Sequence, residues 1–153
     1  MERIKIKELS ARLEEEIKKA EASAFESKEA ANEASHGMAT SYSVAGDVEH
    51  AKNTALLSLQ KLGQLKKLKL EIDRAIEIEI PKTVSPVCFV SIKFDDGRDS
   101  DFYFVKNSAY ISGINFISPD SILGKAISGK PVGENFSYSA GDQKFSGVIS
   151  SIT

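Results

Sequence analysis

The chain has 153 residues, of which 41% are hydrophobic and 27% charged, and its formal net charge is −2. These values are ordinary for a globular protein, and the small net charge gives no overall attraction to nucleic acid or an anionic membrane. The single cysteine, Cys88, excludes an internal disulfide and stands in an apolar run, so we expect a buried thiol in a reduced, cytoplasmic protein. No apolar run is as long as a membrane span, and the charged N-terminus is unlike a signal peptide.

The composition changes abruptly near Pro81. Residues 1–80 hold 28 of the 42 charged residues, whereas ten of the twelve aromatic residues, seven of the ten glycines and all four prolines lie at or after Pro81. Such a change indicates two units of different architecture. We place the first unit at residues 1–79 and the second at residues 80–153, because the prolines of the link cannot continue a helix.

The first unit carries two long helical patterns. In each, apolar or small residues recur mostly at spacings of three and four, which places them on one stripe of a helix. Because each helix has only one apolar seam, we expect an antiparallel coiled-coil hairpin with its tip near residues 40–50. The first stripe consists of Leu9, Leu13, Ile17, Ala20, Ala24, Ala31 and Ala34, and the second of Ala51, Ala55, Leu62, Leu65, Leu68, Ile72 and Ile76.

The second unit alternates between apolar and polar residues in short runs separated by turns. A strand around residues 88–94 is followed by an Asp-Gly turn and a returning strand at 101–105, and a second pair surrounds residues 140–142. The run Ile122–Ser128 predicts a short helix, with Ser121 as its N-cap and Gly129 at its end. The fold class expected is α+β, with the helical hairpin followed by a small antiparallel sheet domain that carries one short helix.

The last segment of the chain, ISPDSILGKAISGKPVGENFSY followed by FSGVISSI, resembles the closing signature of the bacterial Gre transcription elongation factors (GreA/GreB-like). The resemblance spans residues 117–152, and Ile122 stands where the family usually has proline. A coiled coil followed by an FKBP-like sheet domain is also the architecture of that family. The matching positions are Ile117, Ser118, Ser121, Gly124, Ala126, Gly129, Lys130, Val132 and Gly133.

The resemblance implies a regulator of RNA polymerase that is not itself an enzyme, acts as a cytoplasmic monomer and does not contact membranes. Its sheet domain would dock at the rim of the polymerase secondary channel, and its hairpin would carry the tip toward the catalytic magnesium. The protein would contact DNA and RNA only indirectly, through the elongation complex. The docking residues implied are Ser118, Pro119, Asp120 and Ser121, and the tip residues are Ser43, Asp47, Glu49 and His50.

The tip departs from the pattern of factors that stimulate transcript cleavage. Those factors carry a Gly-Asp-x-x-Glu-Asn-like motif, whose two carboxylates help to hold a second Mg²⁺. Aligning Gly46-Asp47 with the family's Gly-Asp places His50 at the second carboxylate, and a register through His50-Ala51 restores neither acid. We therefore expect no cofactor bound by the chain alone, Mg²⁺ at Asp47 and Glu49 only in the polymerase complex, and weak or absent cleavage stimulation.

Other interpretations stay open at this point. Asp47 and Glu49 could instead form the N-cap and first-turn acid of the second helix. His36 and His50 could flank the tip as a metal site, but two histidines without a third ligand at a recognisable spacing are usually surface residues. The whole protein could be a coiled-coil adaptor or chaperone-like module with an FKBP-like domain. A peptidyl-prolyl isomerase is disfavoured, because the small sheet domain has few aromatic residues to spare from its core. Basic residues of the second helix could meet an acidic polymerase surface or nucleic acid, or they could form a solvated face of the coiled coil. They are Lys61, Lys66, Lys67, Lys69 and Arg74.

Overall fold

The computed structural model describes the backbone of residues 3–36 and 42–153 and the side chains of residues 3–33 and 49–153. Helix α1 spans Ile4–His36 and helix α2 spans Tyr42–Ile76. The helices run antiparallel. Near the base, Ser10 of α1 donates a hydrogen bond to Asp73, late in α2, and farther along the arm the Ser27 hydroxyl lies 3.3 Å from that of Ser58, which comes earlier in α2. With 33 residues and about 1.5 Å of rise per residue, α1 is roughly 50 Å long.

An apolar seam holds the two helices together. Both predicted stripes are buried or partly buried over the described side chains, which confirms the helical hairpin. Ala34 lies outside the described side chains. Small alanines, Ala20, Ala24 and Ala31, occupy the seam of α1 toward the tip and let the helices approach closely. The larger side chains of the base are Leu9, Leu13, Leu65, Leu68 and Ile72.

The second unit is a five-stranded sheet with the order β3-β2-β1-β5-β4. The sheet is mixed, because β3 runs parallel to β2, whereas the sequence predicts only antiparallel pairs. A strand of two residues is too short to produce an alternating pattern, so β3 leaves no signal in the sequence. The strands are β1 (Cys88–Phe94), β2 (Asp99–Phe104), β3 (Phe116–Ile117), β4 (Asn135–Ala140) and β5 (Gln143–Ile152).

Helix α3 (Ile122–Ile127) is the short helix predicted for Ile122–Ser128, and it follows β3 and precedes β4. The Ser121 hydroxyl caps it by accepting a hydrogen bond from the Gly124 amide at 2.9 Å. Gly129 follows the helix with a φ of +78°, a left-handed conformation that favours glycine and ends the helix. The chain is therefore an α+β protein, a helical hairpin followed by a small sheet domain with one helix.

The two faces of the sheet belong to two apolar clusters. One face packs on α3, where Cys88 is fully buried, and burial raises the pKa of its thiol to about 11, as expected for an inert cysteine. The other cluster joins the sheet domain to the base of the hairpin through Val87, Val105 and Ile111. The arm is thus seated on the sheet domain by a shared core. In the part of the chain that the structure describes, no helix is long and apolar enough to cross a bilayer.

Candidate functional site

The predicted tip residues fall on the first turns of α2. Because α2 begins at Tyr42 and has no acid in its first turn, the interpretation of Asp47 and Glu49 as N-cap and first-turn acid is wrong. Positions 47 and 49 are two apart in this helix and therefore do not share a helix face. The side chains of Ser43 and Asp47 lie outside the described residues, whereas those of Glu49 and His50 are exposed to solvent.

The structure brings no metal-binding cluster together among the residues it describes. No group of three or more histidine, cysteine, aspartate or glutamate side chains in that part of the chain is placed to hold a metal ion. His36 lies outside the described side chains. Magnesium at Asp47 and Glu49 stays a prediction for the complex with polymerase.

The predicted docking residues form a tight turn in front of α3. The Ser121 hydroxyl donates to the Ser118 carbonyl oxygen at 2.7 Å, and the Ser118 hydroxyl accepts from the Asp120 amide at 3.0 Å. Both serine hydroxyls are therefore engaged within the turn itself. Pro119 is partly buried and Asp120 is exposed. The surface that this turn offers consists mainly of the Asp120 carboxylate and the neighbouring Ile122, which is 59% exposed.

Two glycines of the Gre-like signature have structural roles. A Cβ at Gly124 would lie 1.9 Å from the Ser118 carbonyl oxygen, so only glycine lets the turn close onto α3. After α3, the Gly129 amide donates to the Val84 carbonyl oxygen at 2.8 Å, and the Val84 amide donates to the Lys130 carbonyl oxygen at 2.9 Å. The signature therefore fixes both the exposed turn and the link that leads in from the hairpin.

Sequence reasoning missed the polar contacts that fix the hairpin to the sheet domain. Arg3 is buried, and its guanidinium donates to the Ala75 carbonyl oxygen at 2.9 Å and to that of Val87. On the other side, the Glu71 carboxylate accepts hydrogen bonds from the backbone amides just after β2, at 2.6 Å and 2.8 Å. Neither residue stands out in a run of charged residues, so a single sequence carries no signal for these roles.

The basic residues of α2 divide into two groups. Lys66 lies 3.6 Å from Glu21 of the facing helix, and Lys69 contacts Asp73 at 2.6 Å. These lysines are part of the hairpin's own surface pairing, as the solvated-face interpretation predicts. Lys61, Lys67 and Arg74 form no ion pair with the described residues.

Comparison with known proteins finds similarity to solved structures only. No model of a protein family matches the sequence, and no curated protein matches it. GreA factor homolog 1 (Gfh1) of Thermus thermophilus is 17% identical, with 94% of each chain covered and a TM-score of 0.41.

Two further solved structures are similar. Thermus aquaticus Gfh1 is 17% identical, with 93% of this chain and 92% of that chain covered and a TM-score of 0.42. The prokaryotic transcription elongation factor GreA/GreB from Nitrosomonas europaea is 21% identical, with 58% of this chain and 78% of that chain covered and a TM-score of 0.41. The chain is thus similar to Gre-type factors at low sequence identity, over nearly its whole length for the two Gfh1 proteins.

Proposed function

We propose that the chain is a Gre-like regulator that binds RNA polymerase and inserts its hairpin into the secondary channel. The observation that carries this proposal is the arm itself. Helix α1 extends for roughly 50 Å from the base, and α2 leads back to it. The base packs against the compact sheet domain. A stiff projection of this length suits a protein that must deliver its tip to a site buried inside a partner.

The junction supports this use of the arm. A hairpin on a loose joint would have to give up orientational freedom on entering a channel, which costs binding free energy. Here the buried Arg3 guanidinium and the shared apolar core fix the base of the arm to the sheet domain. A domain held at the rim would therefore direct the tip along one line.

The proposed effect on the polymerase is occupation of the channel rather than strong stimulation of transcript cleavage. A second Mg²⁺ needs oxygen ligands that converge on one point. Positions 47 and 49 are two apart along the helical backbone of α2, and residues at that spacing are not neighbours on a helix face. Glu49 and His50 would then contact the channel or the path of the incoming nucleotide individually, without sharing a metal ion. In this proposal the protein modulates RNA polymerase and is not itself an enzyme.

Retention by purified core RNA polymerase tests the proposal. We expect the protein to be retained, and we expect Asp120→Arg to weaken retention because it alters the exposed side chain of the turn. Asp142→Arg, an identical charge change in the exposed turn between β4 and β5, is the matched control. Lack of retention, together with unchanged transcription in an excess of the protein, would contradict the proposed function.

Transcript cleavage by stalled elongation complexes tests the assignment of the tip. We expect little stimulation over polymerase alone, and little further change on Asp47→Ala. Robust cleavage that disappears with Asp47→Ala would show that the tip does assemble a metal site in the complex.

A second candidate function is a coiled-coil adaptor or chaperone-like module. The middle of the arm exposes large apolar side chains, with Phe25 and Leu57 each 65% exposed and Leu56 55% exposed. Such residues on a helical surface can serve a protein partner. This function predicts that Phe25→Ser and Leu57→Ser abolish partner binding, while substitutions at the tip have no effect.

A further inference from the structure

A groove lies at the junction of the hairpin and the sheet domain, away from both the tip and the Ser118–Ser121 turn. It has a volume of about 490 Å³ and is open to solvent on one side. The last turns of α2 form one wall, the link at Pro86 and Val87 forms the floor, and the backbone after β2 forms the other wall. Its volume is within the range of protein clefts that hold ligands.

The wall formed by α2 presents apolar and cationic side chains in alternation. Lys67, Leu70 and Arg74 follow one another on α2 at spacings of three and four, so they share one face. Ile78 also lines the groove, just beyond the end of the helix at Ile76. Leu70 is 53% exposed and Ile78 is 61% exposed. Leu70 and Ile78 therefore offer apolar surface beside the cationic side chains of the groove.

The charge of the groove is opposite to that of the whole chain. Its lining includes three cations, Lys67, Arg74 and Lys106, and one carboxylate, that of Glu71, whereas the chain has a formal net charge of −2. The Glu71 carboxylate is already engaged by backbone amides at 2.6 Å and 2.8 Å. None of the three cations forms an ion pair with a described residue, so the groove carries unpaired positive charge.

The walls of the groove are held in place before any partner binds. Glu71 on α2 accepts the amide hydrogens of Lys106 and Asn107, which joins one wall to the other. Beneath the floor, Arg3 donates to the Val87 carbonyl oxygen. A preformed groove avoids the free-energy cost of ordering its walls on binding.

We propose that this groove binds an acidic segment of a partner protein, with apolar side chains of the segment covering Leu70 and Ile78 and its carboxylates meeting Lys67, Arg74 and Lys106. A nucleic acid would satisfy the cations but would leave the two apolar side chains uncovered. In addition, none of the described residues that line the groove carries an aromatic ring on which bases could stack. Occupation of the groove does not depend on the proposed polymerase contact, because none of its lining residues belongs to the tip or to the Ser118–Ser121 turn.

Titration of the purified full chain with a short labelled peptide, in which glutamates alternate with leucines, tests the proposal. We expect saturable binding by fluorescence anisotropy, and shifts of the Leu70 and Ile78 methyl signals in NMR spectra. Arg74→Glu should weaken binding about fivefold to tenfold, since it replaces an attraction with a repulsion at the surface. Leu70→Ser should weaken it by a similar factor, since it removes apolar contact area.

Matched controls on the same helix separate the groove from general surface effects. Lys61→Glu makes the same change of charge sign outside the groove, and Leu59→Ser removes a leucine outside it that is as exposed as Leu70, at 53%. Both variants should leave binding unchanged. Equal binding of a peptide with serine in place of glutamate would overturn the proposal, as would failure of the acidic peptide to bind. Tighter binding of single-stranded RNA at the same methyl groups, or self-association that Arg74→Glu abolishes, would overturn it in favour of a nucleic acid or a second copy.

Discussion

Single polar residues at the base of the hairpin make contacts that the apolar seam cannot. The Asp73 carboxylate accepts hydrogen bonds from the Ser10 hydroxyl at 2.7 Å and from the Lys69 ammonium at 2.6 Å and 2.8 Å. Partial burial by itself would raise the pKa of Asp73, but these two partners outweigh it, so the pKa is lowered below its ordinary value of 3.8. The charged form of Asp73 therefore stabilises the pairing of α1 with α2.

The pH dependence of stability tests this contact. Asp73→Asn should lower the free energy of unfolding at neutral pH by about 1 kcal/mol, the typical net value of a hydrogen bond. Because the folded-state pKa is lowered, the stabilisation is fully present above the ordinary value of 3.8 and is lost as the pH falls through the folded-state pKa. The difference in unfolding free energy between the two proteins should accordingly close in acid. A gap that persists unchanged in acid would show that the effect does not come from the carboxylate charge.

Substitution of two helical glycines by alanine tests the close backbone approach at Gly124. Gly124→Ala should destabilise the sheet domain and distort the turn at Ser118, because the added Cβ would lie 1.9 Å from a backbone oxygen. Gly63→Ala is the matched control, since a Cβ there meets nothing within 4 Å, and it should stabilise α2 by up to about 1 kcal/mol. Thermal unfolding of both variants measures the two effects. Equal stability of the Gly124→Ala variant and the original protein would contradict the close approach.

The contacts of individual residues were the features least predictable from the sequence. The helix-capping role of Ser121 could be predicted from its position before an apolar run, and the structure confirms it. The closure of Ser118 and Gly124 on each other could not, because it depends on a distance between two backbones. Arg3 was equally hidden, since its partners are carbonyl oxygens of residues more than seventy positions away.

At the scale of the element, the helices were predictable because a single apolar stripe runs along each one. The buried positions of α1 and α2 repeat with the helical period that the sequence displays. Strand β3 was not predictable, since its two residues pair parallel to β2 across a long loop, and residues of that loop belong to the apolar core shared with the hairpin base. Its placement is decided by tertiary contacts rather than by local pattern.

Substitutions of two leucines in α2 test the seam. Leu65→Ala should lower the free energy of unfolding by about 2–5 kcal/mol, because it removes a fully buried side chain and leaves a cavity. Leu59→Ala makes the same chemical change at a position that is 53% exposed and should have little effect. Chemical denaturation measures both values. Similar losses for the two variants would contradict the assignment of the seam.

At the scale of the whole molecule, the structure combines a long arm with a base that makes both apolar and polar contacts with the sheet domain. The shared apolar cluster, Arg3 and Glu71 all join the hairpin to the sheet domain. The two-part architecture could be predicted from the change of composition near Pro81. The contacts at the junction could not, because they join residues that are distant in sequence. For the tip, the departure from the Gly-Asp-x-x-Glu-Asn-like motif is visible in the sequence. The structure adds that positions 47 and 49, two apart, lie in helix α2.

Site-directed crosslinking to RNA polymerase tests whether the arm enters the secondary channel. A photoreactive group placed at His50, near the end of the arm, should crosslink to polymerase beside its catalytic magnesium. The same group at Lys144, exposed in the sheet domain, should crosslink only to the outer surface. The contradicting result is a His50 variant that crosslinks to the polymerase exterior or to no part of the enzyme.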